Sequence, residues 1–453
     1  MKTTLATGTA GLLLLAVAAC GGGSGGKTDD GKIEITVSGM PPSTQAASQQ
    51  AFLKEVAAFE QANPTIKLKP TDAQYDVKTF AARLAAGQLE TVFRVPLTDP
   101  QALIKRRQIA DISAELKGVQ HAGDFDKRLL APTTGPDGKV YGLPTEAYAA
   151  GLVYNRELFE KAGLDPDKPP ATWDEVRKDA KVIAEKTGVA GFGMHATTNT
   201  GGWMLTTLTY AFGGRMEKAE GERQVAAFQD GPTLQALQLL KAMRWEDDSM
   251  GTQQLRNQDD LLRDFAGGKV AMMMGAPNLF ASYTTKFGGD ATTYGQAALP
   301  VGSGGGALLG GTVAVVSPKA TAEQRAAAVK WIDYYDLRPK YDPALAAERQ
   351  KKRAADKLPA GVPQLPFFNQ AVSGPVIEAE RANANVPLKN FDSYVSGVGS
   401  QEFVTEPPVA GQELYAALDS VVQAVLTRKD ADPAAELKAA AEKVTPILDR
   451  SQR

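Results

Sequence analysis

The chain has 453 residues, 43% hydrophobic and 23% charged, the proportions of a globular protein whose length suits two or three domains. Its 50 lysines and arginines balance 52 aspartates and glutamates to a formal net charge of −2, which argues against both a nucleic-acid field and a polyanion surface. A single cysteine excludes disulfide staples, so stability rests on packing.

The N-terminus reads as a processing signal. Lys2 supplies a positive charge, residues 11–17 are apolar, and Leu15-Ala16-Val17-Ala18-Ala19 leads small side chains up to Cys20. The apolar stretch is too short to span a bilayer. Either Cys20 is lipidated after cleavage, or this is an ordinary signal peptide with an incidental cysteine; the lack of cysteine elsewhere favours the anchor. The Gly/Ser stretch at 21–26 then reads as a flexible tether. No later segment approaches the roughly 20 apolar residues of a membrane helix, so the body is expected to be soluble and outside the cytoplasm.

Beyond the tether, short β-rich runs alternate with amphipathic helices. Ile33, Ile35 and Val37 fall on one face of a strand over 32–37. Phe52, Val56 and Phe59 recur at helical spacing over 45–61, and Asn63-Pro64 stops that helix before a strand at 66–69. Helices over 77–86 and 101–107 flank a short strand at 92–95, so a sheet with helical crossovers is predicted.

A second α/β set starts with a strand near 149–154. Pro169-Pro170 then leads into a helix whose Thr172 and Glu175 have capping-box spacing. A strand at 191–194, helices over 233–247 and 258–265, and a buried strand at 270–274 follow. Two apolar runs flank the loop 302–306, and the chain after Ala322 reads as mostly helical. The basic run 349–353 reads as a solvated helix face. Trp173, Trp245 and Trp331 lie in helical patterns and are assigned to packing.

Tyr141-Gly142-Leu143-Pro144, Gly151-Leu152-Val153-Tyr154-Asn155-Arg156-Glu157-Leu158-Phe159, Ala162-Gly163-Leu164 and Thr172-Trp173-Asp174-Glu175 occur in that order. Phe265-Ala266-Gly267-Gly268-Lys269-Val270-Ala271-Met272-Met273, Leu299-Pro300 and Gly310-Gly311 come after them. With these segments the chain resembles the family 1 extracellular solute-binding lipoproteins of ABC importers, the group that includes maltose and multiple-sugar binders. The resemblance runs from about residue 33 to 448.

It implies an α/β fold with two lobes of the periplasmic-binding-protein type II, a ligand cleft between them, a hinge and a helical C-terminal part. Residues 1–19 would be the signal peptide and 20–31 the lipidated cysteine and tether. Residues 32–143 with 296–338 would form the N-terminal lobe, and 144–295 with 339–453 the other. Pro144 and Pro300 would sit at the crossings.

A sugar site needs polar donors and acceptors around flat aromatic surfaces. Trp203, after Thr200-Gly201-Gly202, lies near the family's aromatic platform; packing in the lobe core is the alternative. Glu146 and Tyr148 follow the crossing at Pro144, where they either meet the ligand or pair and pack at the hinge. Met40, Gln74, Tyr75 and Asp76 leave the first two strands toward the cleft. Asp76 equally suits the N-cap of the helix beginning at Val77.

Asn278 stands where many relatives carry a tryptophan, which makes a smaller or more polar ligand conceivable. Gly311 and Thr312 correspond to a pocket-lining turn. Arg94 departs from a usual aspartate and either grips a carboxylate or diol bidentately or forms a structural ion pair.

No Gly-x-Ser-x-Gly elbow, His-Glu-x-x-His helix or phosphate-cradling loop appears, and His121 and His195 are the only histidines, so no enzyme, no metal and no cofactor is expected. Paired carboxylates for glycoside cleavage remain an open, weaker alternative. The expected ligand is a mono- or oligosaccharide, the alternatives being a glycerol phosphoester, a polyamine or a peptide. The expected partners are permease subunits with a cytoplasmic ATPase. The protein would act as a monomer, held by its lipid to the outer face of a Gram-positive plasma membrane.

Overall fold

The computed structural model describes residues 27–229 and 231–452; Cys20 and the processing signal lie outside them. The strands are β1 (Ile33–Val37), β2 (Ile66–Pro70), β3 (Val92–Pro96), β4 (Gly142–Ala149), β5 (Gly151–Asn155), β6 (Glu217–Glu220), β7 (Arg223–Ala226), β8 (Met272–Gly275), β9 (Tyr294–Ala298), β10 (Ala307–Val316) and β11 (Phe403–Thr405).

Six of them form one sheet in the order β11-β10-β3-β1-β2, with β4 along the other edge of β10. β1 runs parallel to β2 from Ile33↔Ile66 to Val37↔Pro70, and β10 is antiparallel to both β3 and β4. The pleat buries Ile66 and Leu68 while Lys67 and Lys69 face solvent. The crossover helix Ala46–Ala62 buries Phe52, Val56 and Phe59, and Phe52 and Phe59 set their rings 5.9 and 5.3 Å from that of Trp331. This is the first core.

β5 lies between β8 and β9 in an antiparallel sheet of three, every residue of it buried. Helices cover it: Trp173–Thr187, closed by the expected capping box between Thr172 and Glu175, then Thr200–Ala211, and the C-terminal pair Gly411–Thr427 and Pro433–Ser451. Leu152, Leu205, Leu418 and Leu448 meet in this second core. The C-terminal tail divides, because Leu365, Phe367 and Phe368 pack into the first core.

Two strand pairs carry the chain between the sheets. β4 gives way to β5 at Ala150, and β9 to β10 through residues 299–306. The Ala150 amide donates to the Leu308 carbonyl at 3.0 Å, and the Tyr394 hydroxyl donates to the Ala149 carbonyl at 3.1 Å. The crossings are thus tied to each other. Strand pairing keeps Pro144 inside the first sheet, so the passage falls at Ala150 rather than at the proline.

Three local expectations need correction. The run at 149–154 is two strands that meet at Ala150. Residues 191–194 form no strand, only a single bridge at Gly193↔Met273. The amides of Gly191 and Phe192 donate instead to the Ser249 carbonyl, and a Cβ on Gly191 would lie 2.0 Å from the Ala180 carbonyl oxygen. The basic run 349–353 is solvated at Lys351 and Lys352, but Arg349 is half-buried and lines a cavity together with Arg353. Trp173 and Trp331 are buried as expected, and Trp245 is half-buried with Nε1 donating to the Val425 carbonyl at 2.9 Å. Among the described residues no helix is long and apolar enough to cross a membrane.

Candidate functional site

A cavity of about 490 Å³ opens where the C-terminal ends of β1, β2 and β3 meet the crossing strands. At the end of β1 the chain turns at Gly39, whose φ of +95° is a glycine conformation. A Cβ there would press to 3.0 Å from Nε of Arg94, so the glycine also makes room for the guanidinium. Arg94 projects from β3, and its Nη2 donates to Oδ1 and Oδ2 of Asp336 at 2.9 and 3.0 Å. Arg94 thus forms the ion pair expected as one alternative, and it also lines the cavity.

The opposite wall depends on an irregularity between β4 and β10. Glu146 pairs with Thr312 but Pro144 pairs with Val313, so Thr145 is an extra residue. Its hydroxyl donates to the Thr312 carbonyl at 3.1 Å. The bulge turns Glu146 outward, and the Thr312 hydroxyl donates to its Oε2 at a long 3.5 Å. Gly311 permits this approach, since a Cβ would lie 2.1 Å from the Glu146 carbonyl oxygen.

Gln74, Tyr75, Arg94, Glu146 and Thr312 thus line one cavity. Tyr75 also lines a second, of about 210 Å³, beside Asp99 and Glu413. Burial raises the Asp99 carboxyl above its ordinary range despite hydrogen bonds from Thr98 and Tyr75.

Trp203 and Tyr148 come together beside the main cavity rather than in its lining. Tyr148 lies over Gly310, its cross-strand partner, where a Cβ would meet the ring at 2.5 Å. Trp203 stands on the helix Thr200–Ala211, which has no side-chain N-cap of its own. Asp419 of a neighbouring helix supplies that function, accepting from the amides of Gly202 and Asn199 at 2.8 and 2.7 Å.

Behind the indole sits Glu406, which accepts from the Tyr415 hydroxyl at 3.1 Å and from Trp203. Burial pushes its carboxyl up to about 7, against the lowering by those two donors.

The remaining candidates lie apart. Met40 packs against the first core and only its carbonyl reaches Gln74, at 3.5 Å. Asp76 is exposed, with its carbonyl accepting from the amides of Thr79 and Phe80 at the start of the helix Val77–Ala85. Asn278 lines a separate cavity on the far side of Lys340.

Sequence reasoning missed Tyr335, Asp336, Asp419 and Glu406. Tyr335 and Asp336 reach the cavity because the helix Ala322–Ile332 widens into π geometry over Asp333–Leu337. No local pattern marks that turn, and Asp419 and Glu406 matter only through contacts distant in sequence. Among the described residues no three of His, Cys, Asp and Glu are grouped to hold a metal.

The arrangement offers donors, acceptors and two tyrosine rings around a space the size of a small solute, which is recognition chemistry. A binding protein of Brucella abortus (strain 2308) is 30% identical over 308 residues, 65% of this chain and 68% of its own. The cyclic α-maltosyl-1,6-maltose binding protein from Arthrobacter globiformis superposes with a TM-score of 0.70 at 21% identity, covering 93% of this chain and all of its own. UgpB from Mycobacterium tuberculosis, in complex with glycerophosphocholine, gives 0.69 at 18% identity over 93% of this chain and 100% of its own. These likenesses show an α/β fold of the two-lobed periplasmic-binding type. The sequence profile of the bacterial extracellular solute-binding proteins matches residues 42–335, and the chain belongs to that family.

Proposed function

We propose that this chain captures a carbohydrate or similarly hydroxylated solute between its lobes and hands it unaltered to the membrane permease of an ABC importer. The observation that carries the reading is the cavity where Arg94, Glu146, Gln74 and Thr312 present charged and neutral hydrogen-bonding groups beside the rings of Tyr75 and Tyr335. Such a mixture suits hydroxyls, which both donate and accept. The Arthrobacter and Mycobacterium neighbours are named for hydroxyl-bearing ligands, a maltose derivative and glycerophosphocholine.

We assign the first sheet to one lobe and the three-stranded sheet with the last two helices to the other. Ligand that touches both lobes only when they are closed shifts the hinge equilibrium toward closure. We further propose that Cys20 carries the lipid that holds this monomer at the outer face of the plasma membrane, with residues 21–31 as tether. Substitution Cys20→Ser should abolish palmitate labelling and release the protein into the medium.

The test of the main reading is a thermal-shift screen over mono- and oligosaccharides, with mass spectrometry of small molecules that co-purify. A stabilising sugar that also compacts the particle in solution scattering is expected, with no new reducing ends after incubation with oligosaccharides. New reducing ends would make the chain a glycoside hydrolase, and a particle rigid with every solute would remove the hinge mechanism.

A further inference from the structure

A cavity of about 380 Å³ lies between Asn278 and Ala281 on one side and the helix Pro343–Ala355 with its preceding turn on the other. Three cations face it: Lys340, Arg349 and Arg353. Among the described residues none of the three forms an ion pair. Arg349 Nη2 donates to the Tyr335 carbonyl at 3.4 Å, Arg353 Nε donates to the Pro359 carbonyl at 2.7 Å, and Lys340 Nζ lies 4.1 Å above the Phe367 ring.

The single carboxylate on the wall, Glu380, accepts from Gln350 Nε2 at 3.2 Å, and Gln350 Oε1 is taken by the Gly361 amide at 2.9 Å. Three cations therefore line the recess against one lining carboxylate, while Asp336 and Glu146 act on Lys340 from the neighbouring cavity. Burial lowers the pKa of Lys340 despite the nearby carboxylates of Asp336, Glu146 and Glu380, and burial raises that of Glu380. An anion entering here would add counter-charge, and a guanidinium fork with an ammonium is the side-chain set that holds anionic oxygens.

This recess adjoins the hydroxyl-lined cavity. Tyr335 and Asp336 line that cavity, Pro339 and Lys340 line this one, and the Lys340 charge is felt together with those of Asp336 and Glu146.

We propose that the recess around Lys340, Arg349 and Arg353 is the anion-holding end of the ligand site. The transported solute is then a hydroxylated compound carrying an anionic oxygen group, either a phosphate ester or a carboxylate. The proposal rests on the solute-capturing function above and narrows its ligand class.

The test is calorimetric titration of the full chain with inorganic phosphate, glucuronate and glucose at constant ionic strength, repeated on Lys340→Gln and Arg349→Gln. Neither residue is in direct ion-pair contact among the described residues, and circular dichroism checks that each variant is folded. At least one anion is expected to bind tenfold or more tightly than glucose, and to lose tenfold or more in both variants, a larger loss than glucose shows. Phosphate alone responding assigns a phosphate ester, and glucuronate alone a carboxylate. Failure of both anions to bind overturns the proposal, and glucose then shows whether the hydroxyl-binding reading stands without it. Anion binding that neither substitution weakens also overturns it, because the charge would then be met elsewhere on the surface.

Discussion

The indole of Trp203 stands edge-on to the ring of Tyr148, with centroids 6.4 Å apart and planes at 89°. One ring belongs to the helix Thr200–Ala211 over the second sheet and the other to a crossing strand of the first, so the pair spans the two bodies. Trp203→Ala is expected to weaken ligand binding tenfold or more, about 1.4 kcal/mol. Titration calorimetry on the folded variant checks this, and an unchanged Kd removes Trp203 from the site. Trp203→Phe should keep more of the affinity than Trp203→Ala, because it retains an aromatic ring while losing ring area and the indole N–H.

Arg94 presents a different balance. Its partner Asp336 has a side chain only 9% exposed, so Arg94→Ala would strand a largely buried carboxylate. Loss of one partner of such a pair costs on the order of 3 kcal/mol, and urea unfolding is expected to show a drop of that order together with lost ligand binding. Replacing both groups, Arg94→Met with Asp336→Leu, should restore most of the stability and none of the binding. That split separates the structural part of the ion pair from its place in the cavity wall.

Much of this was legible in the chain because periodicity reports burial. Phe52, Val56 and Phe59 marked the first crossover helix, alternation marked β1 and β2, and Thr172 with Glu175 marked a helix start that needs no tertiary contact. Gln74, Tyr75 and Arg94 were found because they follow or sit on strands of a parallel sheet, whose carboxyl ends open on a crevice. What stayed hidden was set by distant contacts. Asp336 faces the cavity through a π turn, Asp419 caps a helix more than two hundred residues earlier, and Gly191 and Phe192 give their amides to the Ser249 carbonyl instead of a ladder. No window of local sequence contains both partners of such contacts.

Gly202, beside Trp203, marks the closest approach of two helices. A Cβ added there would lie 2.1 Å from the Tyr415 carbonyl oxygen, which is backbone and cannot swing away. Gly202→Ala is therefore expected to push the helix Thr200–Ala211 off its neighbour, at a cost of about 3 kcal/mol. Ligand affinity should fall with it, since the shift carries Trp203 away from Tyr148. A variant as stable as the parent in urea would show that the two helices are not held at this distance.

Two buried carboxyls give stability a pH dependence with a definite sign. Burial pushes Glu217 up to about 8, neither of its oxygens having a hydrogen-bond partner of proper geometry although the Val409 amide draws the value down slightly. Glu406 stands at about 7. Each is neutral in the folded protein where its unfolded counterpart is already ionised, so each stabilises fully below pH 4.5 and loses that contribution as pH rises toward its folded value.

His195, sealed from water and lowered by burial to about 4, acts in the opposite direction, its penalty growing only as pH falls below 6.5. Above pH 6.5 the histidine therefore no longer offsets the two carboxyls. The unfolding free energy is expected to fall by roughly 2 kcal/mol between pH 6.5 and 8, mostly through Glu217. Glu217→Gln, which mimics the neutral acid, should flatten that slope and raise stability at pH 8. Urea titrations of both proteins at the two pH values decide it: equal slopes would mean that Glu217 is ionised in the folded state and has found a partner or water.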